Sequence, residues 1–279
     1  IEVDYGGPAT RTSLSIFDDD EYFGLDDHLL AGGYGALTAA LAGGLDIRLS
    51  QPVTAIEHDA AGVRVIADTT LVADRVIVTI PVGVLQADSL RFTPPLPASK
   101  RAALARLEMG SLEKLVLRFA TQFWGSGADS AWYYVSAERG EFPLILDLTR
   151  DAGAPTLVLL HGGQRARDAL DRRSDAQLVA DGLRVLAEVL GATPPPPLAS
   201  HVTRWREDPY SRGSYCFPAL GQQLEDFETL AAPVDERVLF AGEGTDAAYF
   251  GTVHGALRSG VREATRLGAA PELDLSRGR

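Results

Sequence analysis

Val238-Leu239-Phe240-Ala241-Gly242-Glu243-Gly244-Thr245, followed by Tyr249-Phe250-Gly251-Thr252-Val253-His254-Gly255-Ala256-Leu257-Arg258-Ser259-Gly260, is the stretch on which the fold turns. Its first half reads as a short buried strand ending in an acid flanked by glycines. Its second half reads as a glycine-rich helix start, with the helix expected from about 251 to 267. Free N–H groups at a helix start carry partial positive charge and suit an electron-rich acceptor. Gly251, Gly255, Ala256, Ser259 and Gly260 let that helix approach a flat ligand or another backbone closely. Two readings follow: a cofactor edge, or a C-terminal helix packed tightly on a sheet.

Working outward, residues 47–49, 53–58, 63–67 and 76–80 are short, β-branched runs bounded by turn residues, so each is expected as a strand. Residues 115–119 alternate apolar and polar, and 143–148 with 156–160 read as an antiparallel pair. Helices are expected over 36–42, closed by Gly43-Gly44, and over 98–107, after the stiff connector Pro94-Pro95-Leu96-Pro97. Ser174-x-x-Gln177 is a capping box opening a helix with Val179, Leu183, Leu186 and Leu190 on its apolar stripe. Asp18-Asp19-Asp20-Glu21 and Asp26-Asp27 read as a solvated segment, and Gly32-Gly33-Tyr34-Gly35 as a turn. The result is a mixed α/β (α+β) fold without the regular βαβ alternation of a complete doubly wound domain. No dinucleotide-binding glycine turn is legible, since Gly33-Tyr34-Gly35 has Thr38 in the third glycine's place.

Composition bounds the chemistry. The chain has 279 residues, 46% of them hydrophobic, which is ample for a packed core and excludes a mainly disordered protein. Its apolar runs are far shorter than the ~20 residues of a membrane helix. A net charge of −12 argues against a nucleic-acid binder. Cys216 stands alone, which excludes an internal disulfide and zinc sites built from paired cysteines. His28, His58, His161 and His201 show no metal-ligand spacing and are expected at the surface or in structural roles, and His254 in packing or hydrogen bonding. Nothing before Tyr5 resembles a leader, so a cytoplasmic location is expected. The start at Ile1 leads us to expect that translation begins upstream. Only Lys100 and Lys114 are lysines, which makes Lys114, on a strand between Leu112 and Val116, stand out.

Four motifs in order carry a resemblance. They are Val76-Ile77-Val78-Thr79-Ile80-Pro81-Val82-Gly83-Val84-Leu85; Gly110-Ser111-Leu112-Glu113-Lys114-Leu115-Val116-Leu117-Arg118-Phe119 with Phe123-Trp124; Arg204-Trp205-x-x-Asp208-Pro209-Tyr210-Ser211-Arg212-Gly213-Ser214-Tyr215; and the opening stretch. Together they resemble the flavin-containing amine oxidases, and their wording is nearer the polyamine oxidase and flavin-dependent histone demethylase branch than the monoamine oxidases. The resemblance runs from about Gly33 to Leu267.

The resemblance implies part of an FAD-binding Rossmann-like domain interleaved with a mixed-sheet substrate domain flanked by helices. Residues 1–22 and 111–223 would fall in the substrate domain, and 23–110 and 224–279 in the FAD-binding domain. It implies FAD bound non-covalently, because Ser214 stands where monoamine oxidases carry the linking cysteine. Thr252 and Val253 would point helix-start amides at the flavin pyrimidine ring, and Gly242 and Glu243 would approach the ribityl chain. Val53 would hold the adenine by its backbone, and Thr79 and Pro81 would stand beside the adenosine or flavin. Lys114 would hold a water near flavin N5 and assist the reaction with O2. Tyr215 would form one wall of an aromatic amine cage whose opposite wall is Thr252, and Trp205 would line the flavin.

The implied partners are a small amine substrate and O2. The family's dinucleotide-binding βαβ unit lies ahead of the matched region. The chain is thus expected to be a piece, one subunit of a split enzyme whose N-terminal companion chain supplies the dinucleotide-binding motif, or a catalytically silent amine-binding or protein-interaction module that does not bind FAD alone.

Overall fold

The computed structural model describes residues 1–17, 29, 30, 32–125, 131–136 and 140–269. The acidic segment expected at Asp18-Asp19-Asp20-Glu21 and Asp26-Asp27 lies outside the described residues, as does His28. The strands are β1 (Ala55–His58), β2 (Val63–Ile66), β3 (Thr70–Ala73), β4 (Val76–Val78), β5 (Arg91–Thr93), β6 (Glu108–Met109), β7 (Leu112–Arg118), β8 (Ala131–Tyr133), β9 (Leu144–Asp147), β10 (Thr156–Gly162), β11 (Ala199–Val202), β12 (Cys216–Phe217) and β13 (Val238–Phe240). The helices are α1 (Glu2–Tyr5), α2 (Tyr34–Leu41), α3 (Val82–Gln86), α4 (Ala98–Arg106), α5 (Thr149–Ala152), α6 (Gly163–Arg172), α7 (Asp175–Leu190), α8 (Leu224–Ala231) and α9 (Val253–Arg266). The chain divides into two compact units, one of Ile1–Ala9, Asp27–Leu45 and Ser111–Trp205, the other of Thr10–Asp26, Asp46–Gly110 and Arg206–Arg279.

The first unit is built on an antiparallel sheet in the order β11-β7-β10-β9-β8. The expected pairing of 143–148 with 156–160 is present as β9 against β10. In β7 the residues alternate, so Glu113, Leu115 and Leu117 are buried and Leu112, Lys114 and Val116 are half-buried. Leu115 and Leu117 pack with Leu157, Leu159 and Ile145 under α7. Helix α7 starts on the Ser174 capping box and approaches so closely that a Cβ on Gly182 would lie 2.4 Å from a Leu115 methyl. Its fully buried stripe is Leu178, Gly182, Val185 and Leu186. Val179, Leu183 and Leu190 from the expected stripe pack at its edge.

The second unit holds a four-stranded sheet, β3-β2-β1-β5, in which β1 and β5 run parallel and the other pairs antiparallel. Beside it, β13 and β4 form a parallel pair. Phe240, Val78, Val238 and Phe227 lie in its core. The strand expected at 47–49 does not form, and Ile47 and Leu49 are exposed. That run has no neighbouring strand among the described residues to take its backbone hydrogen bonds, and β-branching alone does not make a strand.

Lys100, on α4, is only 2% exposed. Its ammonium donates to the carbonyls of Thr229, Leu230 and Ala232, at 2.9, 2.6 and 2.6 Å, and so caps the end of α8. It also lies over the Phe240 ring, 4.1 Å from the centroid. Both lysines are therefore withdrawn from water, and scarcity alone does not single out Lys114. Burial pushes Lys100 down to about 8, with Glu263 opposing that shift and Arg262 adding to it. From pH 8 to 10.5 the unfolded lysine keeps a proton that the folded one has released, so stability gains a component that rises with pH. Lys100→Met should lose that rise and cost about 2 kcal/mol near pH 7, because three inward carbonyls lose their donor. Denaturant melts at pH 7 and pH 10 check both effects.

Candidate flavin and amine site

In the second unit, the parallel pair β4 and β13 ends at a cavity of about 220 Å³. Thr79, Ile80 and Pro81 line it from the end of β4, and Gly242, Glu243 and Gly244 from the end of β13. Gly242 has φ 129°, a conformation side chains rarely adopt, and the chain then turns through a 3₁₀ segment, Glu243–Thr245. The Gly242 N–H donates to Ser259 Oγ at 2.8 Å, which ties the turn to α9. Arg262, one helical turn on, donates to the carbonyls of Phe240 and Thr245, both at 2.8 Å. Of the small residues of α9, Ser259 serves the tie to Gly242, Gly255 packs against the Tyr249 carbonyl of the turn before the helix, and Gly260 meets nothing within 4 Å.

Glu243 is a bridge. Its Oε1 accepts the Cys216 N–H at 3.2 Å and its Oε2 the Gly251 N–H at 2.7 Å. Burial pushes its carboxyl above the usual range, and the Gly251 and Cys216 groups pull it back. Each oxygen thus holds one of the protein's own backbone amides, and Glu243 also lines the cavity. Gly251 has φ 71°, and a Cβ there would lie 2.8 Å from the Cys216 carbonyl and 3.2 Å from the Tyr215 ring. This approach brings Tyr215 beside the turn that carries Thr252. Thr252 caps α9, accepting the Gly255 N–H at 3.0 Å and donating to the Tyr249 carbonyl at 2.7 Å. Val253 follows, exposed at the first turn. Cys216 is buried, and burial drives its thiol up. Val53 is exposed ahead of β1 and does not line the cavity.

The first unit carries the other two expected residues. Lys114 is half-buried on β7, and burial lowers its amine below the ordinary lysine value while Glu113 opposes the shift. Trp205 is 42% exposed. Sequence reasoning passed over the group that links them. Glu113 is fully buried, and its Oε2 accepts from Thr203 Oγ1 at 2.6 Å and from the Trp205 N–H at 3.2 Å. An acid at an inward position of an otherwise apolar strand face was the signal available. Of the expected structural histidines, His58 and His161 are buried and His201 is exposed. His161 stacks on Phe142 and burial pushes it down to about 4, with Arg165 adding to that. Among the described residues no group of three or more His, Cys, Asp or Glu is placed to hold a metal. No helix among them is long and apolar enough to cross a membrane.

The strand-end cavity, the glycine turn and the capped helix start are built mainly from the first and last of the four motifs. The family profile described as flavin containing amine oxidoreductase matches residues 3–268. The chain belongs to that family. Among curated relatives, it is 36% identical to lysine-specific histone demethylase 1 homolog 1 of Oryza sativa subsp. japonica, with 96% of this chain and 32% of that protein covered. It is 35% identical to the possible lysine-specific histone demethylase 1 of Drosophila melanogaster, with 93% and 33% covered. Among solved structures, wild-type putrescine oxidase bound to putrescine superposes with a TM-score of 0.74 at 25% identity, covering 86% of this chain and 53% of that one. The fold is therefore that of the flavin amine oxidases. The chain spans about a third of the length of these curated relatives and about half of the solved one.

The family's cofactor is FAD, and the residues present fit part of it. The cavity is below the ~300–1,000 Å³ of a whole small-molecule site, so it suits one portion of a dinucleotide. Its walls are mainly apolar, with Ile80, Leu85, Met109, Leu230 and Phe240 around the backbone of Gly242 and Gly244 at the strand end.

Proposed function

We propose that this chain is the portion of an FAD-dependent amine oxidase that shapes the flavin edge and the amine pocket. When bound, FAD supplies the acceptor for a hydride from the carbon beside an amine nitrogen, and its reoxidation by O2 gives hydrogen peroxide. The amine becomes an imine, which water hydrolyses to a carbonyl compound and the released amine. The glycine-rich segment that the family carries ahead of the matched region, continuous with this chain or in a companion chain, completes the dinucleotide site.

Each residue has a task in this reading. The α9 start, fixed by Thr252 and the Glu243 bridge, presents a partial positive charge where electron density collects on reduction. Thr79, Pro81 and Gly242 shape the cavity wall, Val53 offers its backbone to the adenine, and Val253 extends the helix start. The Tyr215 ring orients the amine, Trp205 covers an aromatic face, and Lys114 holds a water that serves the oxygen step. The observation that carries the reading is the conjunction of the cavity at β4 and β13 with the capped α9 start.

The substrate is read as an alkylamine, since relatives are named as histone demethylases and a structural neighbour was solved with putrescine. It must be neutral when the hydride leaves, so the rate should climb with pH through an amine pKa. The test is peroxide release from flavin-loaded protein, with a methylated-lysine peptide and with putrescine, over pH ~6–10. A rise with pH for either amine supports the reading. A flat profile, or no peroxide from either, counts against it.

A further inference from the structure

The sheet of the first unit ends in an unusual way beside Lys114. Strands β7 and β11 pair from Ala199 with Arg118 to Val202 with Leu115. At the next position the Thr203 N–H donates to the Lys114 carbonyl at 3.0 Å, continuing the ladder. The return bond does not go to a carbonyl. The Lys114 N–H donates instead to Thr203 Oγ1 at 2.8 Å. The same hydroxyl donates onward to Glu113 Oε2 at 2.6 Å, and that oxygen also takes the Trp205 N–H at 3.2 Å as the chain leaves the sheet. One buried carboxyl oxygen therefore ends a chain of bonds that begins on the Lys114 backbone and reaches Trp205.

Glu113 occupies an expensive position for this. It shares the buried face of β7 with Leu115 and Leu117 and is itself fully buried. Its register partner across β10 is His161, which stacks on Phe142 at 4.9 Å. A leucine at 113 would fill such a face without the desolvation of a carboxyl. What leucine would not do is end the ladder at a fixed point or hold the Trp205 amide.

We propose that Glu113, acting through Thr203, is a positioning residue that sets the strand carrying Lys114 and the chain exit carrying Trp205. The functional weight of this proposal rests on the reading of Lys114 and Trp205 given above. The bond relay itself does not need a flavin. Thr203 shares the role as the hinge at which β11 peels away. The pair acts as a unit, because the Thr203 hydroxyl must accept from Lys114 and donate to Glu113 at once.

The lysine content supplies the test. With two lysines in the chain, acylation of the purified protein by limiting acetic anhydride reports Lys114 and Lys100 as two separate peptides in a mass spectrometer. Lys100, in the other unit, is the internal reference. Thr203→Val keeps the shape and removes the hydroxyl, and Thr203→Ser restores it. Thr203→Val should change the Lys114-to-Lys100 labelling ratio by about three- to tenfold, the size of one net hydrogen bond. Thr203→Ser should return the ratio to that of the wild type. Glu113→Leu should shift the tryptophan emission of a chain whose Trp124 and Trp132 are phenylalanine, and Glu113→Gln, which keeps an accepting oxygen, should not.

An unchanged ratio in Thr203→Val would overturn the proposal. So would a change that serine does not rescue, or Lys100 labelling rising in step with Lys114, since that reports general loosening. If the wild-type protein never takes up flavin while these shifts occur as expected, the functional reading fails and the positioning relay stands.

Discussion

Gly255→Ala should lower the thermal midpoint by roughly 6–12 °C, the equivalent of about 3 kcal/mol in a domain of this size. A methyl at 255 would lie 2.0 Å from the Tyr249 carbonyl oxygen and 3.1 Å from Thr252 Oγ1. The first of these is backbone, so no rotamer change relieves it. The Tyr249 carbonyl is held in place by the Thr252 hydroxyl, which also caps α9 through the Gly255 N–H. Moving one element therefore breaks the cap and loosens the turn that Glu243 ties through Gly251. Flavin affinity should fall together with stability. Gly260→Ala on the same helix meets nothing within 4 Å and should be neutral or stabilising, by up to about 1 kcal/mol. Differential scanning calorimetry of the two variants separates the specific clash from a general intolerance of the helix. Equal midpoints would show that α9 does not depend on this approach.

Lys114→Met should slow oxygen-dependent turnover by about 10²-fold, the lower end of what a positioned acid–base group contributes. The same substitution should leave the thermal midpoint unchanged or raise it. Burial holds the Lys114 amine below its ordinary value, so the charged form is less well placed in the fold than in the unfolded chain. That disadvantage is fully present below the lowered value and is relieved as pH climbs from it toward 10.5. Methionine removes it and keeps the apolar stem. Slower turnover with a higher midpoint is a combination that general damage does not produce. Stopped-flow reoxidation and a melting curve on one preparation read both quantities. Unchanged reoxidation would remove Lys114 from the oxygen step, whatever the midpoint did.

Local pattern carried much of the fold. The capping box at Ser174 and the apolar spacing behind it placed α7, because both signals lie within the helix itself. The runs at 76–80 and 238–240 were legible as strands, yet their parallel pairing was not, since it joins residues far apart in sequence. Residues 47–49 misled for the same reason: their composition suits a strand, and the neighbour a strand needs is absent among the described residues. At the site, Glu243 was visible as an acid between glycines. Its two backbone partners, Cys216 and Gly251, depend on how the turn closes. Glu113 and Lys100 stayed hidden because a charged residue in sequence reads as surface, and only the fold shows the hydrogen bonds that make burial tolerable.

The most direct measurement is an absorbance spectrum and an intact mass taken on one purified sample. FAD is added first to the chain alone and then with the family's glycine-rich N-terminal segment supplied. The expected result is a flavin band near ~450 nm that bleaches when an alkylamine is added without oxygen and returns when air is admitted. A chain of correct mass that stays colourless in both conditions, or a band that no amine bleaches, would contradict the assignment of this chain to amine oxidation.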